Sequence, residues 1–112
     1  MQPEQEQIAR RAAACKGWRW EPGMRWRTED DRGRLDDYQP EYMGRPPDAL
    51  PDLTDPATLG CLLALVREAH GQSTLSPLKR GARSWCLADY GTSALEGETE
   101  VELLVAALES AP

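Results

Sequence analysis

A Cys3His zinc set in this chain would have to come from Cys15, Cys61, Cys86 and His70, its only cysteines and its only histidine. Structural zinc sites usually draw two of their ligands from one short knuckle. Here the cysteines are widely separated and none sits in a C-x-x-C pair. Each lies in an apolar context, Ala-Ala-Ala-Cys, Gly-Cys-Leu-Leu or Trp-Cys-Leu, where a free thiol behaves as a small hydrophobe. No metal and no other cofactor is therefore expected. His70 directly precedes Gly71 at the end of a helical pattern, where an imidazolium complements the helix dipole. The adjacent acids Asp30-Asp31 and Asp36-Asp37 lack the ligand order of a calcium loop, and the glycines form no phosphate-binding fingerprint. With no nucleophile beside a base and no paired carboxylates marking a cleft, no catalytic set emerges and a non-enzymatic protein is expected.

What the sequence does offer is recognition chemistry. In Gly-Trp-Arg-Trp-Glu-Pro-Gly-Met-Arg-Trp-Arg, residues 17–27, Trp18, Trp20, Met24 and Trp26 alternate with charged residues on either side of Pro22-Gly23. A period of two with a Pro-Gly turn predicts a hairpin with one apolar face. Buried tryptophans on that face would present Arg19, Arg25 and Arg27 together on the other. Tryptophan and arginine are the types enriched where interfaces concentrate their binding energy.

The charge pattern fits a polar contact surface. Net charge is −6, yet residues 10–34 carry +4 and residues 35–55 carry −5. Arg19, Arg25 and Arg27 are the expected partner contacts, with Asp36, Asp37 and Glu41 as a second, acidic patch. A protein is favoured as the partner. Single-stranded nucleic acid is the alternative, with Lys79, Arg80 and Arg83 adding to the same ribbon, although the acidic balance argues against bulk phosphate binding. A homodimer through the leucine-rich helix or an uncovered sheet edge is compatible with the same pattern. No apolar run approaches the length of a transmembrane helix. The odd cysteine count and the lack of a secretory start point to a reducing cytoplasm.

These residues have to be positioned by a small number of elements. At 112 residues the chain is expected to form one domain. Residues 4–15, after Pro3, read as a helix with Ile8, Ala12 and Cys15 on one face. Residues 34–38 give a third short strand. Residues 39–56 hold five of the nine prolines and read as an ordered connector pinned by Tyr42, Met43, Leu50 and Leu53. Asp55-Pro56 is a helix start, Leu59, Leu62, Leu63, Val66 and Ala69 form its apolar face, and Gly71 closes it. A polar loop follows, then a strand at residues 84–90. Thr99 and Glu102 form a capping box for a last helix reaching residue 110, with Val101, Leu104, Val105 and Leu108 inward. The expected class is α+β: a small antiparallel sheet of three to four strands against two or three helices, in the order α-β-β-(β)-α-β-α.

Three of these stretches also carry a resemblance: Ala-Cys-Lys-Gly-Trp-Arg-Trp-Glu-Pro-Gly-Met at 14–24, residues 50–69 around Leu-Thr-Asp-Pro-Ala-Thr-Leu-Gly-Cys-Leu-Leu, and residues 97–109 around Gly-Glu-Thr-Glu-Val-Glu-Leu-Leu. Together they cover about 44 residues, and in their order and wording the chain resembles a group of small proteins encoded by bacteriophages and prophages of GC-rich bacteria. The resemblance brings no catalytic or binding residues with it. It implies a bacterial host cytoplasm and action by binding host machinery, as inhibitors of host defence or regulatory factors do.

Overall fold

Each helix begins where a side chain or a proline relieves its unpaired N–H groups. The computed structural model describes residues 2–35, 46–88 and 96–111. Helix α1 (Pro3–Ala13) starts on a proline and runs from Glu4 and Glu6 to Arg10 and Arg11, in the sense that complements its dipole. Helix α2 (Pro56–His70) is capped by Asp55, whose carboxylate accepts the Thr58 N–H at 3.0 Å, and ends on Gly71 at φ +65°. Helix α3 (Glu100–Glu109) is capped by Thr99, whose hydroxyl accepts the Glu102 N–H at 3.1 Å.

Between the helices the described residues form six short strands in two antiparallel sheets. Strands β1 (Arg25–Arg27), β2 (Arg32–Arg34) and β3 (Leu50–Pro51) form one sheet in the order β2-β1-β3. Strands β4 (Ser76–Gly81), β5 (Ser84–Ala88) and β6 (Glu96–Gly97) form the other in the order β4-β5-β6. The class is α+β as the patterning predicts, with the strands divided between two sheets rather than gathered into one.

Helix α3 is the centre of the molecule. It packs on α1 and α2 from one side and on the second sheet from the other. Five of its residues, Leu103, Leu104, Val105, Ala107 and Leu108, are consequently buried, a broader face than the expected stripe, while Val101 at its start is half-buried. Helix α2 contributes Leu62, Leu65 and Val66, and α1 contributes Ala9 and Ala12. His70 ties α2 to α3 through its Nε2, 2.7 Å from the carbonyl oxygen of Ala107. The three cysteines are free thiols and half-buried. Burial pushes the Cys15 and Cys61 thiols up from their ordinary value.

The expected hairpin about Pro22-Gly23 has moved along the chain. Gly23 does turn the chain, at φ +92°, but only the second arm is a strand, and it pairs forward with β2 through the 28–31 turn. The physical reason is edge availability. Strand β1 already has β2 on one side and β3 on the other, so residues 18–20 find no edge to pair with. Trp18 and Trp20 instead meet edge to face, with ring centroids 5.5 Å apart, and pack against the core from a loop.

Trp26 is the buried anchor of β1, and it lies over Gly33, its cross-strand partner. A Cβ on Gly33 would come within 2.6 Å of the indole ring. Gly33→Ala is therefore expected to lower the unfolding free energy by about 1–3 kcal/mol through overpacking. The check is a denaturant midpoint that falls while the slope of the transition stays the same.

Candidate functional site: an arginine face on the first sheet

Antiparallel pairing places residues that are directly opposite on the same face of a sheet. In the first sheet the pairs are Arg25 with Arg34, Trp26 with Gly33 and Arg27 with Arg32. With Trp26 turned to the core, four arginines share the other face in two cross-strand pairs. The turn joining them is tight: the Thr28 N–H donates to the Asp31 carbonyl at 2.8 Å, and the Asp31 N–H donates to the Thr28 hydroxyl at 3.0 Å.

One of the four is already occupied. Arg34 grips Asp55 with both terminal nitrogens, Nη1 to Oδ2 at 3.0 Å and Nη2 to Oδ1 at 2.9 Å, and also donates to the Gly23 carbonyl at 2.6 Å. Asp55 Oδ2 accepts from the Thr58 hydroxyl at 2.9 Å, and that hydroxyl accepts the Arg25 N–H at 2.7 Å. The hairpin is thereby locked to the start of α2. The Arg34 guanidinium holds the Asp55 carboxyl far below the usual carboxylate range, and the Thr58 bonds add to this against an opposing desolvation cost. Asp55 in turn raises Arg34.

Arg25, Arg27 and Arg32 are different. None of them makes an ion pair among the described residues. Arg25 and Arg27 are half-buried and Arg32 is exposed. Like charges directly opposite one another destabilise a strand pair, so an anion laid across this face would remove a repulsion as well as add contacts. Arginine holds carboxylates through paired parallel hydrogen bonds, and the Arg34–Asp55 pair shows that geometry on the same face. Beside it lies a groove of about 790 Å³ lined by Trp20, Arg27 and Leu50 together with the charged Glu6, Arg10, Glu29 and Asp48.

Arg19 does not belong to this face. It sits in the loop before β1, donating to Glu21 at 2.6 Å and to both carboxylate oxygens of Glu68 near the end of α2. These two carboxylates raise Arg19, and Arg19 lowers Glu68. The expected ribbon of Arg19, Arg25 and Arg27 is thus corrected. Arg25 and Arg27 remain together, Arg19 is taken up by its own chain, and Arg32 and Arg34 complete the group. Its two missing members were visible as Arg-Trp-Arg mirrored by Arg-Gly-Arg across Thr-Glu-Asp-Asp. The expected acidic patch, Asp36, Asp37 and Glu41, lies outside the described residues, as do Tyr42 and Met43.

Arg10, Arg11 and Arg67 are matched locally. Arg10 pairs with Glu6 at 2.7 Å, Arg11 holds Glu109 at 2.6 and 3.1 Å, and Arg67 donates to the Leu75 carbonyl at 2.7 Å. Among the described residues, no group of three His, Cys, Asp or Glu side chains is placed to hold a metal ion. No helix among them is long and apolar enough to cross a membrane. Comparison with protein-family models, with curated proteins and with solved structures found no match. Function therefore has to be argued from the face itself.

Proposed function

We propose that this chain is a non-enzymatic binding protein of bacteriophage or prophage origin, acting in the bacterial cytoplasm by contact with an acidic surface of a host protein. Inhibition of a host defence or regulatory factor is the form such contact takes in this proposal. The observation that carries it is the arginine face. Arg25, Arg27 and Arg32 stand side by side without a carboxylate partner among the described residues, while Arg10, Arg11, Arg19 and Arg34 are all paired. The burial of Trp26, 5% exposed, favours a protein over single-stranded nucleic acid at this site, because its ring offers no face for a base to stack on.

The test is affinity capture of tagged protein from nuclease-treated bacterial lysate, with Arg25→Gln, Arg27→Gln and Arg32→Gln combined as the comparison. Glutamine keeps much of the aliphatic stem while removing the charge. The expected result is one acidic host protein or complex enriched by the natural chain and lost with the variant. Equal recovery by both would overturn the assignment of the face.

A further inference from the structure

The second sheet carries its own cationic surface, at the end of the molecule's longest hairpin. Strands β4 and β5 pair from Ser76 opposite Ala88 to Gly81 opposite Ser84, with a register shift between Lys79 and Gly81. Trp85 packs against the core and Leu87 is buried in it, so one face of β5 is taken up. The hairpin tip is not. Residues 78–83, Leu-Lys-Arg-Gly-Ala-Arg, form an unbroken exposed run, and Leu78 is the one large apolar side chain exposed among the described residues, at 51%.

Lys79, Arg80 and Arg83 are all exposed and none makes an ion pair among the described residues. No aspartate or glutamate occurs in the sequence from Gly71 to Ala88. Across the sheet, β6 brings Glu96 opposite Cys86, two strands from Leu78 and roughly 10 Å away at the usual strand spacing. Exposed Glu98 follows Gly97, the partner of Trp85. Neither makes an ion pair with Lys79, Arg80 or Arg83 among the described residues. The rest of the chain is acidic, but charges beyond about 8 Å are largely screened at physiological salt, and the molecule is 41 Å along its longest axis. At the tip three exposed cations stand within five residues, none in an ion pair among the described residues.

Shape then narrows the partner. The tip is the exposed end of a two-stranded ribbon, narrow enough to enter an anionic groove. A two-stranded β-ribbon is one of the two elements that fit the major groove of duplex DNA, about 12 Å wide and walled by phosphates. An exposed leucine among the cations is suited to apolar contact with base edges on the groove floor. We propose that the β4–β5 hairpin is a nucleic-acid contact that lays Lys79, Arg80 and Arg83 on the phosphates of a duplex, separate from the arginine face that takes a protein. The chain would then hold an acidic partner protein at one surface and DNA at another.

The experiment is fluorescence anisotropy of a labelled mixed-sequence 20-base-pair duplex with the full chain at low salt. Two charge-matched variants go beside it, one with Lys79, Arg80 and Arg83 changed to glutamine and one with Arg25, Arg27 and Arg32 changed to glutamine. Because the tip side chains touch nothing in the core, the first variant is expected to keep the far-ultraviolet spectrum and unfolding midpoint of the natural chain. The expected result is binding that weakens with salt at a log–log slope of roughly −2.7 for three phosphates. The tip variant should lose at least about tenfold in affinity, each lost phosphate contact weakening binding, and the face variant should keep its affinity. Absence of binding at low salt would overturn the proposal, as would equal affinity of the tip variant. Displacement of the duplex by polyglutamate at equal charge would also overturn it, by making an acidic protein the occupant of the tip. Preference for the single strand of the same sequence would overturn the groove geometry.

Discussion

Trp26→Ala is expected to lower the unfolding free energy by about 3–5 kcal/mol, the usual cost of removing a large aromatic from a core. That is a large part of the 5–15 kcal/mol by which domains of this size are typically stable. The cost follows from where the ring lies. It sits on the central strand of its sheet, opposite Gly33 on β2 and Pro51 on β3, and is 5% exposed. Since Gly33 has no side chain with which to fill the space, the cavity stays open. The same ring sets the polarity of the sheet, because its inward direction turns Arg25 and Arg27 outward. The variant should show a reduced denaturant midpoint and weaker capture of the partner together, whereas Trp26→Phe should restore most of both. A loss of stability below about 1 kcal/mol would contradict the placement of the ring.

The second large effect belongs to Asp55. Its carboxylate caps α2, accepts from the Thr58 hydroxyl and closes the bidentate pair with Arg34. Asp55→Ala removes the cap and strands a buried hydroxyl, at about 2–3 kcal/mol. The cost stays below that of breaking a fully buried pair because Arg34 is 40% exposed and can turn to water. Asp55→Asn keeps a good capping side chain and loses only the charge, so it should cost about half as much. The pH dependence carries a definite sign. The folded state holds Asp55 well below the ordinary carboxylate value, so its contribution is fully present above the unfolded value near pH 4 and is lost as the pH falls further. Denaturant unfolding of the natural chain and of Asp55→Ala should therefore show a gap that is constant near neutrality and narrows below about pH 4. Glu68 and Glu109, lowered by Arg19 and Arg11, act in the same direction, but as exposed pairs they contribute little.

The helices were legible because their signals are local. Asp55-Pro56, Gly71 and Thr99 each act within one turn, and the caps they predict are those observed, although of the expected Thr99–Glu102 box only the bond from the Glu102 N–H to the Thr99 hydroxyl forms. The strands were not, because a strand is defined by its neighbours. Strand β3 is only Leu50–Pro51, inside the proline-rich connector, and is a strand only through its pairing with β1. Strand β4 read as a polar loop, since Pro77 and the run of exposed cations hide the alternation that burial on one face would produce. Arg25 and Arg27 could be read from their spacing around Trp26. Arg32 and Arg34 left a local signal in the Arg-Gly-Arg that mirrors Arg-Trp-Arg, but it is the register that puts them on the same face, and Arg19 is set apart by Glu68, a partner distant in sequence.

That register is also what makes the arginine face open to direct measurement. The side-chain Nε–H resonances of the arginines can be followed by ¹⁵N-resolved NMR during titration with a short peptide rich in aspartate and glutamate. Arg25, Arg27 and Arg32 are expected to shift together and to saturate together, because on that surface they are the arginines without an ion pair among the described residues. Arg11, Arg19 and Arg34 should hold their positions, each already bound to a carboxylate of its own chain. Shifts confined to Arg80 and Arg83, or an even drift across all the arginines, would contradict a binding site on the first sheet.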